Sequence, residues 1–206
     1  MKHSLLWIVL AATVSPAPAQ IILQVTSGQG TAIAFFGQSF TTPAGGPWSE
    51  ITFNFYATPA TGTTPASTPV AAGTAFLLTQ EYLGTPAALS TSTPGFLAQS
   101  IGVFGGVYAF PPSVVLNPGT EYWIYENASM TITGNDTGGS PAGAAYFAAT
   151  SNTNFSLGVG PEEIANYRLG ADEFGLTPVP PSILLTAAAL LCVGLYQARR
   201  RFARQG

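Results

Sequence analysis

Between residues 20 and 177 this chain has no cysteine, no histidine and no lysine. Its single cysteine is Cys192, its single histidine His3 and its single lysine Lys2. In that stretch the absences exclude a thiol nucleophile, a Ser-His-Asp triad, a Schiff-base lysine and a zinc ion held by His or Cys. They also exclude a disulfide staple, so the fold must rest on core burial. A stretch of this length suffices, because domains of roughly 150 residues bury about 68–70 % of their unfolded surface. Charge is scarce as well: Asp, Glu, Lys and Arg make up 7 % of the chain, against about 25 % in ordinary globular domains. Of the six basic residues only Arg168 lies between residues 20 and 177, whereas all nine acids lie between Glu50 and Glu173, a net charge of −8 for that stretch. Such a surface does not attract nucleic acid or anionic lipid.

What is present at the two ends reads as targeting. Lys2 and His3 precede an apolar run, Leu5 to Val14, which is too short to span a bilayer. Ala17-Pro18-Ala19 forms a small-x-small cleavage site, so residues 1–19 are expected to be a signal peptide and Gln20 the first mature residue, with signal peptidase as the processing partner. At the other end, Pro178-Val179-Pro180-Pro181-Ser182 leads into an uncharged run to Ala198, followed by Arg199, Arg200, Arg201 and Arg204. A run of about this length is near the minimum for a transmembrane helix, which needs roughly 17–25 residues. An arginine cluster marks the cytoplasmic side and gives an N-out, C-in orientation. Cys192 in such a helix is a small apolar filler.

This tail resembles the sorting tail of PEP-CTERM proteins over about residues 177–204. The match rests on Val179, Pro180, Pro181 and Ser182, the apolar run and the four arginines; the Glu that separates the prolines of the family motif is absent here. The resemblance implies an exosortase-type membrane enzyme as processing partner. It also implies an exopolysaccharide-producing bacterium as host, and a place at the outer face of the membrane, the cell surface or the extracellular matrix.

Residues 20–177 read as one all-β domain. Runs such as Ile21–Thr26, Thr31–Phe40, Glu50–Ala57, Thr74–Leu83, Phe96–Val103, Val107–Phe110, Val114–Leu116, Glu121–Asn127, Met130–Thr133, Ala144–Thr150 and Tyr167–Leu169 are β-rich and bounded by Gly, Pro, Asn or Thr. Ile51, Phe53 and Phe55 fall on one face of a strand, and Thr52, Asn54 and Tyr56 on the other. Asn117-Pro118-Gly119-Thr120 has Pro and Gly where a type II turn wants them. Residues 58–72 hold little but Thr, Pro, Ala, Gly and Ser and read as a flexible exposed insert. Many short strands with such turns mean an antiparallel β-sandwich or a barrel. Gly37-Gln38-Ser39-Phe40-Thr41-Thr42 and Leu116-Asn117-Pro118-Gly119-Thr120-Glu121-Tyr122-Trp123 are similar to motifs of anchored extracellular jelly-roll modules, over about residues 30–126. That resemblance implies a jelly-roll-like sandwich and no particular activity.

Chemistry-bearing residues are few. Glu162, Glu163, Asp172 and Glu173 offer hard oxygen ligands for calcium, or simply a solvated acidic patch with Arg168 as partner; no Asp-x-Asp loop accompanies them. No cofactor is expected. Glu81, Glu121 and Glu126 lie on or beside expected strands, where two could face each other as in a glycosidase. Aromatic residues are the fuller set: Trp48, Tyr82, Tyr108, Tyr122, Trp123 and Tyr125, with Trp48, Trp123 and Tyr125 foremost, able to stack on sugar rings or to fill the core. Glu121, Trp123 and Tyr125 share one face of their strand, and Tyr122, Ile124 and Glu126 the other. The expectation is a non-catalytic exported surface or matrix protein. Polysaccharide binding through exposed aromatics is the alternative, and a carboxylate-dependent glycosidase a further one.

Overall fold

The alternation along Ile51–Phe55 and the aromatic run Tyr122–Tyr125 each seed one of two antiparallel sheets. The computed structural model describes residues 20–135, 143–158 and 164–173, all within one compact unit, Ala19–Leu176. The strands are β1 (Gln20–Val25), β2 (Gly30–Thr41), β3 (Trp48–Thr58), β4 (Ser67–Val70), β5 (Ala75–Leu78), β6 (Phe96–Gln99), β7 (Gly102–Phe104), β8 (Val107–Ala109), β9 (Glu121–Glu126), β10 (Met130–Asn135), β11 (Ala145–Ala148), β12 (Ser156–Leu157), β13 (Ile164–Ala165) and β14 (Tyr167–Glu173).

One sheet runs β1-β14-β3-β8-β7, with β4 also pairing β3; the other runs β12-β11-β2-β9-β5-β6, with β10 pairing β2 and β13. Every pairing is antiparallel. The two sheets form a β-sandwich. Phe36 and Phe40 of β2 meet Phe55 and Phe53 of β3 across the interior, with ring centroids 6.1 and 6.3 Å apart. Tyr167 of β14 stacks on Phe53 at 5.4 Å. Ile51, Tyr108, Leu116, Tyr122, Ile124, Ile132 and Leu169 complete the same buried cluster. Each such side chain contributes roughly 1.5–3 kcal/mol when taken from water, which is how a stretch without disulfides stays folded.

Asn166 marks the point where the chain changes sheets, between β13 and β14. It is wholly buried. Its carboxamide accepts from the Gly28 amide and donates to the Gly28 carbonyl and to Thr133 Oγ1, all at 2.8 Å. A buried amide with every bond made fixes a corner; half satisfied, it would destabilise it.

Several expectations are corrected. Residues 58–72 are mostly exposed, as expected, but they are tied down: β4 joins the sheet, and Ala60 and Ala66 are buried. Their amides reach back to the Gly28 and Thr26 carbonyls, at 3.0 and 2.8 Å. The strand expected over Thr74–Leu83 ends at Leu78, and the chain from Thr79 to Gly95 is a loop with a 3-10 turn at Pro86–Ala88. Val114–Leu116 makes only a single bridge, Trp48 to Leu116. The face of β3 that carries Thr52, Asn54 and Tyr56 is largely closed, since Asn54 and Tyr56 are buried, where a half-buried strand leaves one face open. Gly119 has φ +59°, as a type II turn at that position requires. Among the described residues no helix is long and apolar enough to cross a membrane. The helix expected over about 180–198 lies outside them, as does the signal peptide of residues 1–19.

Candidate functional site

A strand in the middle of a sheet has two faces, and in β9 both are apolar. Tyr122 and Ile124 point into the inter-sheet core, whereas Trp123 and Tyr125 point outward, as their alternation requires. The outward side is not open to solvent. A second cluster forms there from Phe76, Leu78, Leu89, Tyr125, Tyr146, Ala148 and Phe155, with Phe35, Tyr82, Phe96 and Trp123 at its margin. Two loops cover it, residues 79–95 and 149–155. They are tied to each other by Ala87 N–H to the Ser151 carbonyl and Phe155 N–H to the Gly84 carbonyl, both 2.9 Å.

Tyr125 is the centre of this cluster. It is wholly buried, with ring centroids 4.8 Å from Phe155, 5.5 Å from Tyr146 and 5.8 Å from Tyr82. Its hydroxyl accepts from the Tyr82 amide at 3.1 Å, which pins the covering loop to the sheet. Burial pushes that phenol far above its ordinary range. The ring lies on Gly37 of β2, where a Cβ would come within 2.3 Å of a ring carbon. Only glycine leaves that space.

A polar edge borders the cluster. Trp123, half-buried, donates its Nε1–H to the Tyr146 hydroxyl at 3.2 Å. The Tyr146 phenol is pushed up to about 12, first by burial, with further contributions from the hydrogen bond and charge of Glu81 and the charge of Glu121. Glu81 and Glu121 are exposed. The edge therefore holds a partly open indole, a phenol and two solvated carboxylates, a set that can stack on a ring and accept hydrogen bonds from hydroxyls.

The three aromatics singled out for stacking are thus separated. Trp48 belongs to the inter-sheet core at 6 % exposure, with its Nε1–H directed at the Pro43 carbonyl, 3.4 Å away. Tyr125 is enclosed by the loops. Neither offers a face to a ligand, and only Trp123 is partly open. The acidic candidates separate in the same way: Glu81 and Glu121 both act on Tyr146, whereas Glu126 lies on the opposite face of β9 and is 1 % exposed. Tyr82, one of the aromatics expected for stacking, lies at the margin of this outer cluster, whereas Tyr146, which the sequence does not single out, is one of its buried members. Nothing in the spacing of loop 79–95 signals where it folds back.

Asp172 and Glu173 end β14, and Asp172 Oδ1 accepts from the Gln20 amide at 3.1 Å. Their expected calcium partners, Glu162 and Glu163, lie outside the described residues, as do Ala17, Ala19, Val179, Pro180, Pro181, Ser182, Arg199, Arg200, Arg201 and Arg204. Among the described residues no group of three or more His, Cys, Asp or Glu side chains is placed to hold a metal ion. No protein-family model, curated protein or solved structure matches this chain.

Proposed function

We propose that this chain is an exported, non-catalytic protein of the bacterial cell surface or extracellular matrix. Its outer domain, residues 20–177, is a jelly-roll-like sandwich delivered by an N-terminal signal peptide and sorted through a PEP-CTERM-like C-terminal tail with a transmembrane helix over about residues 180–198. Signal peptidase and an exosortase-type enzyme are the processing partners. One observation supports the reading most: a domain without Cys, His or Lys is built around two apolar clusters. Such a domain needs neither a disulfide nor a cofactor to stay folded after export. In a mature chain beginning at Gln20, the ammonium would stand beside the exposed Asp172 carboxylate, whose Oδ1 is 3.1 Å from the Gln20 nitrogen, a weak surface pair. The intact mass of the protein recovered from the host's surface and medium tests this. A chain starting at Gln20 and ending near Val179–Ser182 is the expected result. A chain running to Gly206 and found only in membranes removes the sorting step, and one starting at Met1 removes export by signal peptide.

A second reading, polysaccharide binding, is favoured by the edge formed by Trp123, Tyr146, Glu81 and Glu121. Its carboxylates and the domain's net charge of −8 restrict the ligand to neutral or amine-bearing glycans. Retention on immobilised neutral polysaccharides, lost in Trp123→Ala while the unfolding midpoint holds, supports it. Equal retention of both proteins removes it.

A further inference from the structure

Glu126 Oε2 is the one buried side-chain oxygen or nitrogen among the described residues that has no hydrogen-bond partner. A carboxyl group in such a place calls for an explanation, and the register of the sheet accounts for its other oxygen, Oε1. β2 pairs with β9 up to Gly37 opposite Tyr125, and with β10 from Ala34 opposite Met130. Between those pairs the two residues Phe35 and Phe36 of β2 face the four residues 126–129, so the ladder is interrupted by a bulge. The bulge leaves the Phe36 amide without a backbone acceptor on that side. Glu126 fills the gap: its Oε1 accepts from Phe36 N–H at 2.8 Å, and the Ala128 amide, within the bulge itself, lowers the cost of a charge there. The side chain thus replaces the missing rung and stands on the inner face of the sheet, in line with Tyr122 and Ile124.

The surroundings of this carboxyl are apolar or neutral. β2 presents Ala34 and Phe36, β5 presents Ala75 directly opposite Glu126, and β10 presents Met130 and Ile132, all members of the inter-sheet core. The titratable side chain whose ionisation Glu126 influences is Tyr108 of β8. Its hydroxyl is committed to residue 72, donating to the carbonyl at 2.6 Å and accepting from the amide at 2.8 Å. No cation faces the carboxyl from any of these strands.

We propose that Glu126 is a protonation latch. As a neutral acid it bridges the bulge between β9 and β10 and closes the sandwich at β2. Its ionisation places a charge without a counter-ion between the sheets and loosens that seam. Protonated, the group retains Oε1 as acceptor for Phe36 N–H, and the O–H on the unpartnered Oε2 costs less there than a buried charge without a counter-ion. Burial, partly offset by the Phe36 and Ala128 amides, raises its pKa to about 8, so the latch is closed in neutral and acidic media and opens in alkaline ones.

Carbon-13 titration of the Glu126 side-chain carboxyl tests this on the unmodified chain, without relying on a variant that folds. A midpoint above 7 is expected, and one below 5.5 overturns the latch. Hydrogen exchange at the Phe36 and Ala128 amides reads the seam itself. Between pH 6 and pH 9.5, after correction for intrinsic base catalysis, their opening is expected to rise at least about tenfold more than that of the Phe53 amide, which sits in the other sheet. In Glu126→Gln, which keeps the acceptor but cannot ionise, this excess should vanish. Equal pH dependence at all three amides, or an excess that persists in Glu126→Gln, overturns the proposal.

Discussion

The two faces of β9 are built from similar residues and held in different ways. On the inner face, Tyr122 and Ile124 pack against a second sheet whose strands pair over long stretches. On the outer face, Trp123 and Tyr125 pack under loops that are joined to each other and to the sheet by a few hydrogen bonds, among them Tyr82 N–H to Tyr125 Oη. A sheet partner couples a side chain to the whole fold, whereas a loop couples it only to the local segment. The comparison teaches that burial alone does not rank these residues: Phe53 and Tyr125 are both wholly enclosed, yet their removal should have different reach.

The largest effect is expected for Phe53→Ala. Phe53 contacts Phe40, Phe55 and Tyr167, with centroid distances of 6.3, 5.0 and 5.4 Å. Its truncation should lower the unfolding free energy by about 3–5 kcal/mol, measured by urea denaturation with every probe shifting together. A loss under about 1 kcal/mol would mean that the interior collapses around the gap.

Alkaline pH acts on the inner face next. The Glu126 acid has its pKa raised from 4.5 to about 8 in the folded chain. Its contribution is fully present below pH 4.5 and is lost as pH rises towards 8, because the unfolded chain releases the proton first. The slope within that window is at most about 1.4 kcal/mol per pH unit. Unfolding midpoints recorded from pH 4 to pH 9 should show this decline, and Glu126→Gln should flatten it.

Gly37→Ala probes the outer face from beneath. Its new Cβ falls within 2.4 Å of two Tyr125 ring carbons, and overpacking of this kind costs about 1–3 kcal/mol. Near-ultraviolet circular dichroism should change as the Tyr125 ring is displaced, with the β-sheet signal retained. Tyr125→Phe is gentler. It keeps the ring and removes only the acceptor of the Tyr82 amide, a loss of about 1–1.5 kcal/mol. Proteolysis within residues 79–95 should accelerate while the global midpoint moves little. Equal global loss for Phe53→Ala and Tyr125→Phe would erase the distinction between the two faces.

How much of this was legible in the sequence follows the same division. The faces of β9 and the inward set Ile51, Phe53 and Phe55 were readable, because period-2 alternation is a direct consequence of strand geometry. The turn at Asn117–Thr120 was readable because Pro and Gly have few other uses there. The covering of the outer face was not. Loop 79–95 has no periodicity, so nothing in it announces that Tyr82 returns to Tyr125. Trp48 was open to either reading, since an indole serves a core or a ligand equally well. β4 was hidden by its composition, Ser-Thr-Pro-Val, which looks like a linker until its partner β3 is known. Glu126 was the least legible: a glutamate on a strand reads as exposed, and only the bulge at 126–129 shows why a carboxyl is needed inside.

Native-state hydrogen exchange against increasing urea tests most directly whether the two faces are separable. Amides of residues 79–95 held by hydrogen bonds, Thr79, Tyr82 and Leu89 among them, are predicted to lose protection at urea concentrations where those of β3 and β14 are still protected. If both groups open together at every concentration, the loops and the inter-sheet core are one cooperative unit, and the division drawn between the faces of β9 is wrong.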